Sequence, residues 1–427
     1  MRRFLLLVVA LLVTAGLAFG KTPIRVQSWH LGEFPWRDAW NEFEKAVEAK
    51  YPDIDVQLDP VTYANKEQVF TTQSEAGIAA DIAHFTYRPI SVFIEKGYLM
   101  DLTPFLAREP AFKAGFLPGP LSMASQGGKV YALPDDFDII VLVYNKKLFR
   151  AAGLDPNRPP ATWDEFVDYA RKLTRDLNGD GNPDQWGYGL IAKREEGLFM
   201  RLNPWFWGAG GDYLTPDGKH SALNTPQALE GFRFYTDLAT VYKVAPPGAA
   251  DIGVQDNRVL FANNKVAMIV GTAWTPPIID RINPNFNSAE NLAMAPMPAK
   301  VLGNKPVSSA FISMRVISAK TKHPEEAWKV YRYIYSQENQ ERWFRYMHLP
   351  SSIAAIRSSP MTMNDLFAGT VARAADSHDV MYEPLIPEWL EIGDAMITAV
   401  QETVSGTKPA EKALTDAHRR VEGIIAR

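Results

Sequence analysis

Ile139 to Tyr144 reads Ile-Ile-Val-Leu-Val-Tyr, a strand-length run with no polar face. A strand with one wet face alternates apolar and polar residues. A continuous run suits a strand covered on both faces, as in a sheet flanked by helices. The neighbouring segments supply those helices. Ile24–Ser28 alternates as a strand, and Trp36, Trp40, Phe43 and Val47 recur at helical spacing until Tyr51-Pro52-Asp53 stops them. Ile54, Val56 and Leu58 form a second strand, and Asp81–Phe85 a short third one. Pro89–Lys96 reads as a helix closed by Gly97, and Val130–Leu133 as another strand. Strands alternating with helices predict an α/β architecture.

The second half keeps the alternation. Thr162-Trp163-Asp164-Glu165 is a capping box that opens a helix. Thr225-Pro226 opens another. Lys265–Val270 and Phe311–Ile317 read as strands, and Pro324–Tyr335 as a helix with Trp328, Tyr331 and Tyr335 on one face. The C-terminal third is mostly helical, with one stripe through Ile392, Met396, Val400 and Val404. No internal repeat or low-complexity linker is present. The 427 residues exceed one ordinary core and suit two domains of ~200 residues.

The N-terminus has the three parts of a secretory signal. Arg2-Arg3 precede the apolar run Phe4–Phe19, and Ala18-Phe19-Gly20 supplies small residues before Lys21. An uncleaved membrane anchor is the alternative, although the run is shorter than the ~20 residues of a typical span. The chain has no cysteine, so neither a disulfide nor a lipid on an N-terminal Cys is expected. The expected mature protein is exported, soluble and monomeric. A net charge of −4 without long basic runs argues against nucleic acid.

Catalytic signatures are missing. There is no G-x-S-x-G elbow, H-E-x-x-H helix or Walker A loop. Gly208-Ala209-Gly210-Gly211 lacks the third glycine of a dinucleotide fingerprint. The acidic cluster Asp135, Asp136 and Asp138 has three readings: acceptors for ligand hydroxyls, a solvated turn, or the paired carboxylates of a glycoside hydrolase. Aromatic residues are abundant, with 11 Trp, 16 Tyr and 22 Phe. Flat rings pack against the C–H faces of sugars, and Trp often sits half-exposed in binding sites.

Asp176 to Gly187, DLNGDGNPDQWG, places Asp176, Asn178, Asp180 and Asp184 at positions 1, 3, 5 and 9 of a calcium loop, with Gly181 at the tight turn. Gly187 stands where an EF-hand has its bidentate Glu. A structural calcium is one reading, and a polar turn whose side chains bond their own backbone is the other. No other cofactor is expected.

The order of segments resembles family 1 extracellular solute-binding proteins of ABC transporters, the group that includes maltose- and multiple-sugar-binding proteins. The resemblance runs through Phe43–Gln57, Ala80–Leu106, Gly127–Leu154 with its Tyr-Asn-Lys strand end, Pro160–Thr174, Phe261–Trp274 and Pro324–Ile334. In Phe261–Trp274, Asn264 stands where the family's F-x-x-G-K-x-A-M strand usually has Gly. The resemblance implies a two-lobed, class II-like periplasmic-binding-protein fold, with the ligand cleft between lobes joined by several crossings. It places a signal peptide at 1–20, the N-terminal lobe at 21–135 plus 299–320, and the C-terminal lobe at 138–295 plus 323–427. Crossings are expected near 135–138, 295–299 and 319–322. The implied partners are a carbohydrate and the permease subunits of an importer, and no enzymatic activity is implied.

Residue by residue, the resemblance implies a ligand site that includes Asp138, with Asp136 beside it, Phe85, Tyr87 and the early aromatic Trp29. Trp205, Trp207, Trp274 and Trp389 are its candidate cleft rings, and Ser308 and Ser309 precede a crossing. Arg88 stands where maltose binders carry an acidic residue. That departure keeps open a glycerol-phosphate-type, polyol or other anionic sugar derivative. An exported glycoside hydrolase using Asp135, Asp136 and Asp138 is the distant alternative.

Overall fold

The computed structural model describes residues 20–33 and 36–427. The expected signal segment therefore lies almost wholly outside the described residues. Among those described, no helix is long and apolar enough to cross a membrane.

Among the described residues, three sheets organise the fold, beside a small two-stranded hairpin at Ser125–Gln126 and Lys129–Val130. The first has five strands in the order Ile54–Pro60, Thr22–Ser28, Ile82–Thr86, Ser313–Ile317, Ala132–Pro134. Its first three strands run parallel, and Ser313–Ile317 inserts antiparallel between Ile82–Thr86 and Ala132–Pro134. The second sheet orders Leu292–Ala295, Val141–Asn145, Val266–Gly271, Trp186–Tyr188. Between them lies a small sheet of Asp379–Met381, Val307–Phe311 and Asp138–Ile139. The expected two-lobed α/β architecture is present, with this third sheet at the junction.

The helices bury the faces their sequences mark. Trp36–Lys50 buries Trp36, Trp40, Phe43 and Val47, the stripe read from spacing. The helix Trp163–Leu173 starts where the capping box predicts. Thr162 Oγ1 accepts from the Glu165 N–H at 3.2 Å, and Glu165 reaches back to the Ala161 N–H at 2.8 Å. Val141–Asn145 is buried at every position, as a doubly covered strand requires. Asn264 adopts φ 58°, in the left-handed region. Asparagine tolerates that conformation best after glycine, so the departure from the family's Gly costs little. Its side chain is fixed by a 2.8 Å bond from Asn145 Nδ2.

The lobe boundaries differ from expectation. Pro324–Ile334 and Gln337–Met347 belong to the first lobe, not to a C-terminal lobe beginning at 323. Tyr331 Oη receives a bond from the Leu133 N–H at 2.9 Å, and Tyr335 Oη donates to Leu133 O at 2.7 Å. Trp343 packs on Trp40 at 4.9 Å. The first crossing runs through 135–140, from the strand Ala132–Pro134 of the first sheet to Val141–Asn145 of the second. The second does not fall at 295–299, because Ala299 still pairs beside Thr162 in the second lobe. It lies at Val307–Phe311, which leads directly into Ser313–Ile317. The return lies not at 319–322 but across 348–388, through the junction strand Asp379–Met381 to the helix Trp389–Val404. Ile312 breaks the single strand expected over 311–317 into two, each paired with a different sheet.

Candidate functional site between the lobes

A cavity of about 650 Å³ opens at the junction, within the range of small-molecule sites. Its first-lobe wall begins where strand Thr22–Ser28 ends. Ser28 Oγ accepts from the His30 N–H at 3.2 Å and caps the one-turn helix Trp29–Gly32. That turn aims two rings at the cavity. Trp29 stacks on His84 at 3.5 Å between centroids, and His30 stacks on Trp36 at 3.8 Å. Tyr63 meets the edge of Trp29 at 5.4 Å, and Lys66 Nζ lies 3.6 Å from the Tyr63 ring centre. The wall is thus an aromatic slab with a cation on its flank.

The second-lobe wall comes from the start of helix Gly197–Gly208 and from helix Val254–Ala262, which present Glu195, Glu196, Arg201 and Arg258. The crossings supply the remaining surface through Asp136, Ser313 and Phe311, with Trp274 packed on Phe311 at 4.6 Å.

Several polar atoms here are buried without a protein partner among the described residues. They are His30 Nδ1, Arg201 Nε and Ser313 Oγ. Buried polar groups are normally satisfied, and a polar group entering the cavity could satisfy these. Burial, aided by the Arg315 charge, holds His30 well below the usual histidine range, so its ring is neutral at pH 7. Burial, and then the neighbouring Asp135 charge, pushes Asp136 up to about 7. The lobes also touch here. Tyr63 Oη donates to Glu196 Oε2 at 3.1 Å, and Arg88 Nη1 donates to Glu196 Oε1 at 2.7 Å. Burial would raise the Glu196 pKa, but Arg88 and Lys66 outweigh it and hold the carboxyl below its usual range.

Of the sequence-derived site residues, Trp29, Asp136 and Trp274 line this cavity. The others do not. Phe85 is fully buried between Phe70 and Phe93, at 5.0 and 5.1 Å. Tyr87 Oη and Arg88 both bond Glu383, so Arg88 is neutralised inside the protein. Asp138 accepts from the Ile139 N–H at 2.8 Å and the Ala273 N–H at 3.0 Å, anchoring the turn before Trp274. Burial pushes its pKa up to about 8. Trp205 lies in the second-lobe core against Phe166 at 5.0 Å, and Trp207 is buried beside Tyr213. Trp389 packs on the Tyr213 ring at 4.8 Å. Ser308 donates to Ile140 O at 2.6 Å within the junction sheet, and Ser309 is buried beside it.

The acidic cluster does not bring a pair of carboxylates to the cavity. Asp135 accepts from Arg315 Nη2 at 2.6 Å and Asp138 faces backbone, which leaves Asp136. The residues missed from sequence are His30, Tyr63, Lys66, Glu195, Glu196, Arg201 and Arg258. For Trp29-His30, the strand end followed by paired aromatics was a usable signal.

The Asp176–Gly187 loop engages its own backbone. Asp176 accepts from the Asn178, Gly179 and Gly181 N–H groups at 3.1, 2.6 and 2.8 Å. Asp184 accepts from Leu177 and Asn178 at 2.8 and 3.2 Å, and Asp180 from Asn182 at 2.8 Å. Gly187 cannot carry a ligand, because a Cβ there would stand 2.0 Å from Ala170 O. No group of three or more His, Asp or Glu side chains is gathered as a metal shell among the described residues.

Comparisons with known proteins agree with this architecture. A solute-binding protein from Thermotoga lettingae, solved with alpha-D-tagatose, superposes with a TM-score of 0.82 at 28% identity, covering 95% of this chain and all of that one. The maltose-bound MalE3 of T. maritima gives a TM-score of 0.80 at 21% identity, over 94% and 99% of the two chains. The maltodextrin-binding protein MdxE of Bacillus subtilis is 22% identical over 393 residues, 89% of this chain and 86% of that one. Residues 35–341 match the family model for the bacterial extracellular solute-binding protein, and the chain belongs to that family.

Proposed function

We propose that this protein captures a sugar or oligosaccharide between its lobes and delivers it to the permease of an ABC importer. The observation that carries this reading is the composition of the cavity wall. Planar rings of Trp29, Trp36 and Trp274 stand among buried donors and acceptors that lack protein partners. A polyhydroxylated ring has apolar faces for the first and a rim of hydroxyls for the second. The binding of alpha-D-tagatose and maltose by similar structures supports the same class.

The match to a family of solute-binding proteins favours binding over hydrolysis. Family membership supports an exported location, and the N-terminal pattern supports cleavage before Lys21. The protein is proposed to act as a soluble monomer.

Isothermal titration against a panel of mono- and oligosaccharides tests the reading. Saturable heat from at least one sugar, without product formation, is the expected result. Silence across the panel, or turnover of the bound sugar, would overturn it.

A further inference from the structure

Arg201 and Arg258 both line the cavity from the second lobe, and neither forms an ion pair among the described residues. Arg201 is only 5% exposed. Its Nη1 contacts only the Gly197 carbonyl at 3.2 Å and the Met200 sulfur at 3.7 Å, and its Nε has no partner. Buried guanidinium groups are normally paired, because removing such a charge from water is costly. The two charges also oppose each other. Burial, and then the Arg201 charge, lowers the Arg258 pKa to about 10.

The cavity's carboxylates do not answer this charge. Glu196 is paired with Arg88 at 2.7 Å, and Glu67 with Lys66 at 2.8 Å. Glu195 accepts from the Val254 N–H at 2.6 Å, and Asp136 from the Ser313 N–H at 2.8 Å. Glu33 is exposed on the other lobe. Glu33 and Glu195 offset the Arg258 charge from a distance, and neither reaches it within an ion-pair length. Two guanidinium groups from separate helices thus face one cavity with donors unengaged. Guanidinium donors match the paired oxygens of carboxylates and phosphates.

We infer that the ligand carries an anionic group, a carboxylate or a phosphate on a sugar ring, which seats against Arg201 and Arg258. This rests on the sugar-binding reading above and narrows it. It also relocates the source of anion affinity from Arg88, whose charge Glu383 and Glu196 already neutralise.

The test is calorimetric titration with three probes: α-1,4-digalacturonate, galactose 6-phosphate, and neutral α-1,4-galactobiose. At least one acidic probe is expected to bind about tenfold or more tightly than the neutral one, and to weaken as salt rises. The acidic probe that wins distinguishes carboxylate from phosphate. Arg201→Gln and Arg258→Gln should each abolish that preference, while Arg201→Lys retains part of it. Arg258 is the less buried of the two, so its variant keeps the test available where Arg201→Gln fails to fold. Equal or tighter binding of the neutral sugar, or a preference that survives both Gln variants, overturns the inference and leaves the sugar-binding reading standing. Silence with all three probes overturns the inference. If the neutral panel is silent too, the broader reading falls with it.

Discussion

Glu196 accepts a 3.1 Å hydrogen bond from Tyr63 Oη on the opposite lobe, and its other oxygen accepts from Arg88. Glu196 also lines the cavity. One carboxylate therefore contacts both the ligand space and the lobe–lobe junction. A ligand shifts a conformational equilibrium only through contacts that differ between the two states. Glu196→Gln keeps the shape but removes the charge that draws Arg88. We expect a larger radius of gyration by small-angle scattering and a sugar affinity weaker by about tenfold. An unchanged scattering profile would exclude a role for Glu196 in holding the lobes together.

Arg88 and Glu383 form a buried ion pair, with side-chain exposures of 2% and 0%. Asn203 and Tyr87 also bond Glu383, at 3.1 and 3.2 Å. Removing one partner leaves an uncompensated buried charge. Arg88→Ala should lower stability by about 3–5 kcal/mol, measured by urea unfolding. A loss below about 1 kcal/mol would show that water enters the site.

The tryptophans should divide into two groups. Trp29→Ala and Trp274→Ala are expected to weaken sugar binding with smaller changes in melting temperature. Trp205→Ala and Trp389→Ala are expected to cost about 3–5 kcal/mol of stability. Paired calorimetry and thermal melts separate these outcomes. A large affinity loss in a Trp389→Ala protein of unchanged stability would contradict the placement of that ring in the core.

Burial pushes the Asp136 and Asp138 carboxyls up to about 7 and about 8, above the usual carboxylate range. Between that range and these values the folded protein holds protons that the unfolded chain releases. Their contribution to stability is full below pH ~4 and falls as pH rises toward 7–8. Asp138→Asn removes one of these groups. The melting temperature of the variant relative to the parent should rise between pH 5 and pH 8. A constant difference across that range would show that Asp138 is ionised throughout.

The loop at Asp176–Gly187 supports a prediction independent of metal. Asp176 holds three backbone N–H groups, so Asp176→Ala in the presence of chelator should lower the melting temperature. Calcium at this loop rests on spacing alone and is a proposal. Added calcium that raises the melting temperature of the parent, but not of the variant, would place the ion there.

Much of the fold was legible because it depends on local pattern. The stripe through Trp36, Trp40, Phe43 and Val47 and the Thr162 cap are short-range statements, and the structure contains both. Pairing across the chain was not legible. Pro324–Tyr335 reads as a helix from its own residues, but the lobe it joins depends on Leu133, about 200 residues earlier. Arg88 reads as an available cation until Glu383, 295 residues away, is brought beside it. Asp138 reads as a ligand contact from sequence, whereas its carboxylate accepts from the N–H groups of Ile139 and Ala273. Arg201 and Arg258 carried no signal, since charged residues on amphipathic helices usually face solvent.

Ser313–Ile317 is the fourth of five strands in the first sheet, between Ile82–Thr86 and Ala132–Pro134. Its two neighbours in that sheet precede it by some 180–230 residues. A ribosome that has released the whole segment before residue 300 has therefore still not supplied the strand that joins Ala132–Pro134 to the rest. The first lobe cannot close its sheet until most of the second has been made. The order of synthesis thus keeps the first lobe incomplete, with the edges of Ile82–Thr86 and Ala132–Pro134 unpaired until Ser313–Ile317 has been made.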